Sequence, residues 1–317
     1  MEHEIKNILI CGIGAVGSIY ADKIQSFDSA HLRVLVDKER FAKYKKEPVI
    51  FNGRELDFNY VLPEENDFKA DLIIIATKFA GLYEARKNIK NFVKDDTIIL
   101  SLLNGVTSEE ILAETYGWDK LLLSYFIGHS AIREGRNIRH DDVNIIVFGD
   151  RENSVASENV ARLKAFFDKA GIKYRIPLDM KYSLWLKFML NVAANQSTAI
   201  LRMTFGEMLE NKKFMEFAVN IMKEVQAVAK AEGVKNTDDM IEKTIEHLNT
   251  MIPDGKTSML QDVEAGRKTE VDMFAGTMVR LGKKHNIPTP YNQVFKEMFE
   301  IIHEAQDIKD SKKSVCC

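Results

Sequence analysis

Asn7-Ile8-Leu9-Ile10-Cys11-Gly12-Ile13-Gly14-Ala15-Val16-Gly17 is the stretch on which the fold turns. Asn7 to Cys11 reads as a buried strand, and a helical pattern follows from about Ala15 to Ser26. Between them stands Gly-x-Gly-x-x-Gly. Gly12 permits a tight turn, Gly14 lets a pyrophosphate approach the backbone, and Gly17 lets helix pack against strand. The helix N-terminus adds free N–H groups and partial positive charge for the phosphates. A glycine turn by itself carries little information. Strand, turn and helix in this order, inside a βαβ unit, predict a dinucleotide. Gly12, Ile13, Gly14, Ala15, Val16 and Gly17 are therefore the expected cofactor cradle.

Outward from this motif, apolar runs and helical patterns alternate to about residue 178, as in a parallel sheet with crossover helices. Leu32 to Val36, Val49 to Phe51, Phe58 to Val61, Leu72 to Ala76, Thr97 to Ser101 and Leu121 to Tyr125 read as strands. Leu72 to Ala76 is apolar throughout, as expected of a strand covered on both faces. Ile138 to His140 and Asn144 to Phe148, on either side of Asp141-Asp142, read as a hairpin. A helix from about Ser154 to Ala170 and a strand near Lys173 to Ile176 close the domain. After Pro177 only helical periodicity remains, with helices expected at about Met180–Ala199, Lys213–Glu232, Thr237–Thr250, Ser258–His285 and Tyr291–Gln306. The fold class is thus α/β: an N-terminal Rossmann dinucleotide-binding domain (1–178) followed by an all-α C-terminal domain (179–317) for substrate and catalysis.

The bulk properties narrow the function. A chain of 317 residues accommodates two domains, and a net charge of −3 supplies no basic face for nucleic acid. No run approaches the ~20 apolar residues of a membrane span. Met1-Glu2-His3-Glu4 is acidic and leads straight into a strand, so no signal peptide is expected. Three cysteines make no disulfide framework: Cys11 lies in the first strand and Cys316-Cys317 end a polar tail. The cytoplasm is the expected compartment, and no metal site is expected. The oligomeric state is not legible, with a homodimer as the candidate assembly.

Asp37 ends the second strand, twenty residues after Gly17. A carboxylate there bonds the adenosine ribose of NAD and repels the extra phosphate of NADP. Lys38 and Arg40 follow at once and Lys78 sits just past the Leu72 to Ala76 strand; any of the three could reach that phosphate instead, so the choice stays open.

In the segment from Ser183 to Gln196, Lys187, Asn191 and Asn195 recur every fourth residue, sharing one helix face with a drift of roughly 40° per step. The rest of the helix is apolar on every side, which marks it as buried. The polar stripe then pairs internally or lines a cavity, because unpaired buried polar groups are costly; the alternative is a solvent-facing stripe. Desolvation lowers a lysine's pKa towards the working pH and makes it a competent general acid. Ketone reduction needs a hydride on carbon and a proton on oxygen, and Lys187 suits the second task.

With these residues in place, the chain resembles the ketopantoate reductase (2-dehydropantoate 2-reductase) family from Asn7 to about Pro290. The markers are the glycine motif, Lys78, Leu103-Asn104-Gly105, and His129-Ser130-Ala131 with Arg133 and Gly135. The stripe from Trp185 to Asn195 and the blocks Lys256 to Asp262 and Lys268 to Asp272 complete them. The resemblance implies reduction of ketopantoate to pantoate in pantothenate biosynthesis with NADP(H), NAD(H) being the alternative because of Asp37. It implies Lys187 as proton donor, Asn191 and Asn195 as substrate ligands, and Ser258 as ligand of the substrate carboxylate. Asn104 would contact both cofactor and substrate, Glu270 would contact the cofactor ribose and help orient the lysine, and Lys78 and Ala131 would contact cofactor.

Simpler readings stand beside these. Ser258 with Gln261 forms a capping box, Glu270 can pair with Lys268 or Arg267, and Asn104-Gly105 is an ordinary turn. His129 is more naturally structural than catalytic. The chain also departs from the family: Asp37 stands where arginine is common, and Phe205 and Ala275 replace asparagines. A reductase of another small 2-oxo or 3-oxo acid is therefore the alternative within the class, and a non-catalytic NAD(P)-sensing protein the alternative outside it.

Overall fold

The computed structural model describes residues 4–128, 132–140 and 144–315. The chain divides into two compact units, Met1–Lys181 and Tyr182–Cys317.

The first unit is built on an eight-stranded sheet. Its order is Tyr174–Arg175, Asn144–Gly149, Leu121–Gly128, Ile98–Ser101, Leu72–Ile75, Ile8–Cys11, Leu32–Leu35 and Tyr60–Val61. The six strands from Leu121–Gly128 to Tyr60–Val61 run parallel. Successive residues of each central strand face opposite sides. Ile8, Ile10, Leu72 and Ile74 join the core beneath the helices Ala15–Phe27 and Glu158–Lys169. Leu9, Cys11, Ile73 and Ile75 join the core beneath Leu82–Asn88 and Ser108–Tyr116. Two covered faces account for strands that are apolar without alternation.

One expected pairing is corrected. Asn137–Arg139 does not form a hairpin with Asn144–Gly149. It pairs antiparallel with Ile132–Glu134 and parallel with Val49–Phe51, in a separate four-stranded sheet. Asn144–Gly149 instead runs antiparallel to Leu121–Gly128 over six residue pairs, burying Ile146 and Phe148. A long pairing with two buried side chains outweighs a local turn. Asp141 and Asp142 lie outside the described residues.

In the second unit every described element is helical. The helix Met180–Leu190 passes through a π turn, Asn191–Asn195, into Gln196–Leu201. The single helix expected over Ser258–His285 is two. Ser258–Glu264 stops where Gly266 turns left-handed (φ 64) and the Arg267 N–H reaches back to the Asp262 carbonyl at 2.8 Å. The chain resumes through a second π turn, Asp272–Gly276, into Thr277–His285. A short helix that the periodicity does not reveal, Phe205–Glu210, starts at a capping box of Thr204 and Glu207. The last helix, Pro290–Val315, outruns its expected end at Gln306.

Candidate active site

In the first unit the expected cofactor residues follow the carboxyl ends of four adjacent parallel strands. Asn104 follows Ile98–Ser101, Lys78 follows Leu72–Ile75, Gly12 follows Ile8–Cys11 and Asp37 follows Leu32–Leu35. This edge of an open α/β sheet is where such folds take ligands. The glycine motif is constrained there by contact. Gly12 has φ 104, and a Cβ on it would stand 2.8 Å from the Ala76 backbone; a Cβ on Gly17 would strike the Gly12 carbonyl. Gly14 is different, because a Cβ there would meet nothing nearer than 3.8 Å. Packing does not require that glycine, which leaves its backbone open to a ligand. Gly14, at the start of the helix Ala15–Phe27, has no side chain to cap it, and among the described residues its first N–H groups are left available to a ligand. The cradle fits a pyrophosphate.

Asp37 caps the helix Lys38–Lys46, accepting the Arg40 N–H at 2.7 Å and the Arg40 guanidinium at 2.7 Å. Lys38 pairs with Glu64 at 2.9 Å. Lys78 is exposed and Asn104 half-buried. Ala131 and His129 lie outside the described residues. Arg133 donates to the Ile13 carbonyl inside the cradle and to the Tyr44 hydroxyl at 3.3 Å. The sequence offers no signal for that contact, since 120 positions separate Arg133 from Ile13.

In the second unit Asn191 and Asn195 are both buried and Lys187 is half-buried, so the two asparagines of the stripe are withdrawn from solvent. The turn between them is wider than an α turn, and this counters the drift of the stripe around the helix. Asn195 Nδ2 donates to Ser258 Oγ at 3.3 Å. Asn191 Nδ2 has no hydrogen-bond partner among the described residues. A buried amide N–H left this way is costly unless a ligand satisfies it. Ser258 is not the helix cap. Thr257 is, accepting the Leu260 N–H at 3.2 Å, which leaves the exposed Ser258 hydroxyl to Asn195. The capping-box reading of Ser258 and Gln261 is thereby corrected.

Burial pushes the pKa of the Lys187 ammonium down to about 8, and the Glu270 carboxylate opposes that shift. Lys187 therefore titrates closer to neutral pH than an exposed lysine. The two cations nearest Glu270 in sequence are engaged elsewhere: Lys268 bonds Asp307 at 2.9 Å, and Arg267 bonds Asp262 at 2.7 Å. Among the described residues no cluster of His, Cys, Asp and Glu could hold a metal ion, and no helix is long and apolar enough to cross a membrane.

A dinucleotide-type sheet in one unit and a helical second unit bearing a desolvated lysine define the class, an NAD(P)-dependent oxidoreductase. The chain belongs to the ketopantoate reductase family. The sequence model of ketopantoate reductase PanE/ApbA matches residues 8–153, and that of its C-terminal part matches residues 179–303. The 2-dehydropantoate 2-reductase of Aquifex aeolicus (strain VF5) is 29% identical over 313 residues, covering 97% of this chain and 100% of that one. Among solved structures, the ternary complex of D-mandelate dehydrogenase with NADH and anilino(oxo)acetate matches with a TM-score of 0.82 at 22% identity, over 95% of this chain and 99% of that one. The PanE/ApbA family ketopantoate reductase from Ralstonia eutropha JMP134 matches with a TM-score of 0.79 at 24% identity, over 95% and 99%.

Proposed function

We propose that this chain reduces ketopantoate to pantoate, a step of pantothenate biosynthesis. The observation that carries the reading is a desolvated Lys187 beside Glu270, one turn from the unpartnered amide of Asn191. When bound, the reduced nicotinamide supplies a hydride to the ketone carbon. The Lys187 ammonium gives a proton to the ketone oxygen and becomes a neutral amine. Asn191 donates its free N–H to that oxygen, and Asn195 with Ser258 holds the substrate carboxylate. Glu270 favours the charged form of Lys187 and so restores the acid after each turnover. Gly12 to Gly17 take the pyrophosphate, with Lys78 and Asn104 as further cofactor contacts.

The choice of dinucleotide follows from Asp37. Its carboxylate is fixed at the strand end, and the nearby cations Arg40 and Lys38 are engaged with Asp37 and Glu64. This arrangement favours a ribose hydroxyl over a phosphate, hence NADH over the NADP(H) that the family resemblance implies. The test is absorbance at 340 nm with ketopantoate and each cofactor. Oxidation of either supports the reductase, and a faster rate with NADH supports the role of Asp37. No oxidation of either, with cofactor binding intact, overturns the substrate.

A second substrate class is favoured by one observation. Phe205 lies against Gly255, where any added side chain would meet its ring, just ahead of Lys256-Thr257-Ser258. An aromatic 2-oxo acid suits such a wall, as the likeness to D-mandelate dehydrogenase suggests, and phenylglyoxylate belongs in the same assay. The assembly we propose is a homodimer. Val294, Met298, Ile301 and Ile308 expose an apolar seam on the last helix at steps of four, three and seven residues, the spacing by which two helices pack side by side. Sedimentation equilibrium tests it.

A further inference from the structure

Gln196 directly follows Asn195 and its side chain is fully buried. Its Nε2 donates to the Val192 carbonyl at 2.9 Å and to Asn292 Oδ1 at 3.3 Å. Its Oε1 accepts the Ala275 backbone N–H at 3.0 Å. Val192 lies inside the π turn Asn191–Asn195, and Ala275 inside the π turn Asp272–Gly276. Such turns interrupt the regular helical ladder and leave backbone groups in need of other partners. One carboxamide serves both turns.

The orientation of that carboxamide is set from behind. Glu224 on the helix Lys212–Ala231 accepts the backbone N–H groups of Tyr291 at 2.8 Å and Asn292 at 3.3 Å, at the start of the last helix. It also accepts Asn292 Nδ2 at 2.8 Å. A carboxylate is an acceptor, so it turns the Asn292 amide towards itself and the Asn292 oxygen towards Gln196. Gln196 must then present its amide to Asn292 and its oxygen to Ala275. The polarity is fixed from end to end, and four helices are tied through it.

The bridge stands between two functional pairs. Asn191 and Asn195 bound the first turn. Glu270 precedes the second, its carbonyl accepting the Met273 N–H at 3.0 Å. We propose that Gln196 is a positioning residue for the reduction: by tying the two π turns together it holds Asn191 and Asn195 in register with Lys187 and Glu270. The proposal rests on the reading of Lys187 as proton donor. A residue that merely filled space would affect stability and leave the chemistry unmoved.

Two substitutions test it in the full chain. Gln196→Met keeps the volume and removes every hydrogen bond. It is expected to lower kcat by about tenfold or more and to raise KM, since misplacement of a site from outside it is costly. Gln196→Glu keeps the acceptor and one of the two donor bonds while its carboxyl is protonated, and loses that donor on ionising. It is expected to approach wild-type kcat at low pH and to fall off at a lower pH than the parent. The Lys187 titration, followed by NMR of labelled lysine without cofactor or substrate, is expected to move in both variants. Unchanged kcat, KM, pH profile and Lys187 titration in whichever variant folds would overturn the proposal. A wild-type chain that oxidises neither cofactor with any 2-oxo acid would overturn the reading of Lys187, and the NMR titration still decides the positioning role.

Discussion

Asn195 reaches Ser258 across 3.3 Å, joining the helix that carries Lys187 to the helix that follows Lys256-Thr257. The bond exists because Thr257 takes over the capping task, so adjacent hydroxyls are given different work.

That division makes a first prediction. Ser258→Ala is expected to raise KM for the 2-oxo acid about tenfold, as loss of one hydrogen bond to a charged group would, with little change in thermal midpoint. Thr257→Ala is expected to cost about 1 kcal/mol of stability, the usual worth of a cap. Steady-state kinetics beside thermal unfolding of both variants checks the pair, and the opposite pattern would return Ser258 to a structural role.

Lys187→Ala is expected to lower kcat by roughly two to four decades, a typical general-acid contribution. In the parent enzyme the ammonium is the active form for reduction. With its pKa lowered to about 8, kcat for reduction should hold steady below that pH and fall as pH rises through it. The reverse oxidation, which needs the neutral amine, should rise over the same range. A reduction rate flat from pH 6 to about 10, near the unshifted lysine value, would contradict the assignment.

Asp37→Ser removes the charge and keeps a short cap for the helix Lys38–Lys46. Arg40, released from its 2.7 Å pair, then becomes available to a 2′-phosphate. The ratio of kcat/KM for NADPH to that for NADH is expected to rise by about tenfold or more, the scale of one charge-assisted hydrogen bond. An unaltered ratio would remove Asp37 from cofactor selection.

Behind the loop that carries Asn104, Glu109 is buried and accepts the Ser108 hydroxyl at 2.7 Å and the Ser124 N–H at 3.1 Å. Burial pushes its carboxyl up to about 7, against those two bonds. A native pKa above the unfolded value means the native state holds the extra proton. The stability present at low pH is therefore lost as pH rises through about 7. Glu109→Gln cannot ionise and is expected to be more stable than the parent by on the order of 2 kcal/mol at pH 8, with little difference at pH 4. Denaturant unfolding at both pH values measures this, and an equal effect at both would refute it.

Much of the fold is written in local pattern. The glycine motif, its strand and its helix are legible because each answers a short-range demand: a tight turn, a close approach, a pleat covered on both faces. The polar stripe from Lys187 to Asn195 is legible because a helix apolar on every other side is buried, and burial tolerates polar side chains only where they pair or meet a ligand.

What the chain determined by itself was therefore the order of its elements, the cradle and the helix bearing the lysine. Tertiary structure decided the rest, because partners distant in sequence compete with local signals. It sent Asn137–Arg139 to Val49–Phe51 and away from its expected neighbour, broke the helix at Gly266, and moved the cap from Ser258 to Thr257. It also brought Gln196, Ala275, Asn292 and Glu224 into one buried chain of hydrogen bonds. No periodicity announces such a network, since each bond forms only when separate helices pack and exclude the water that would otherwise satisfy them.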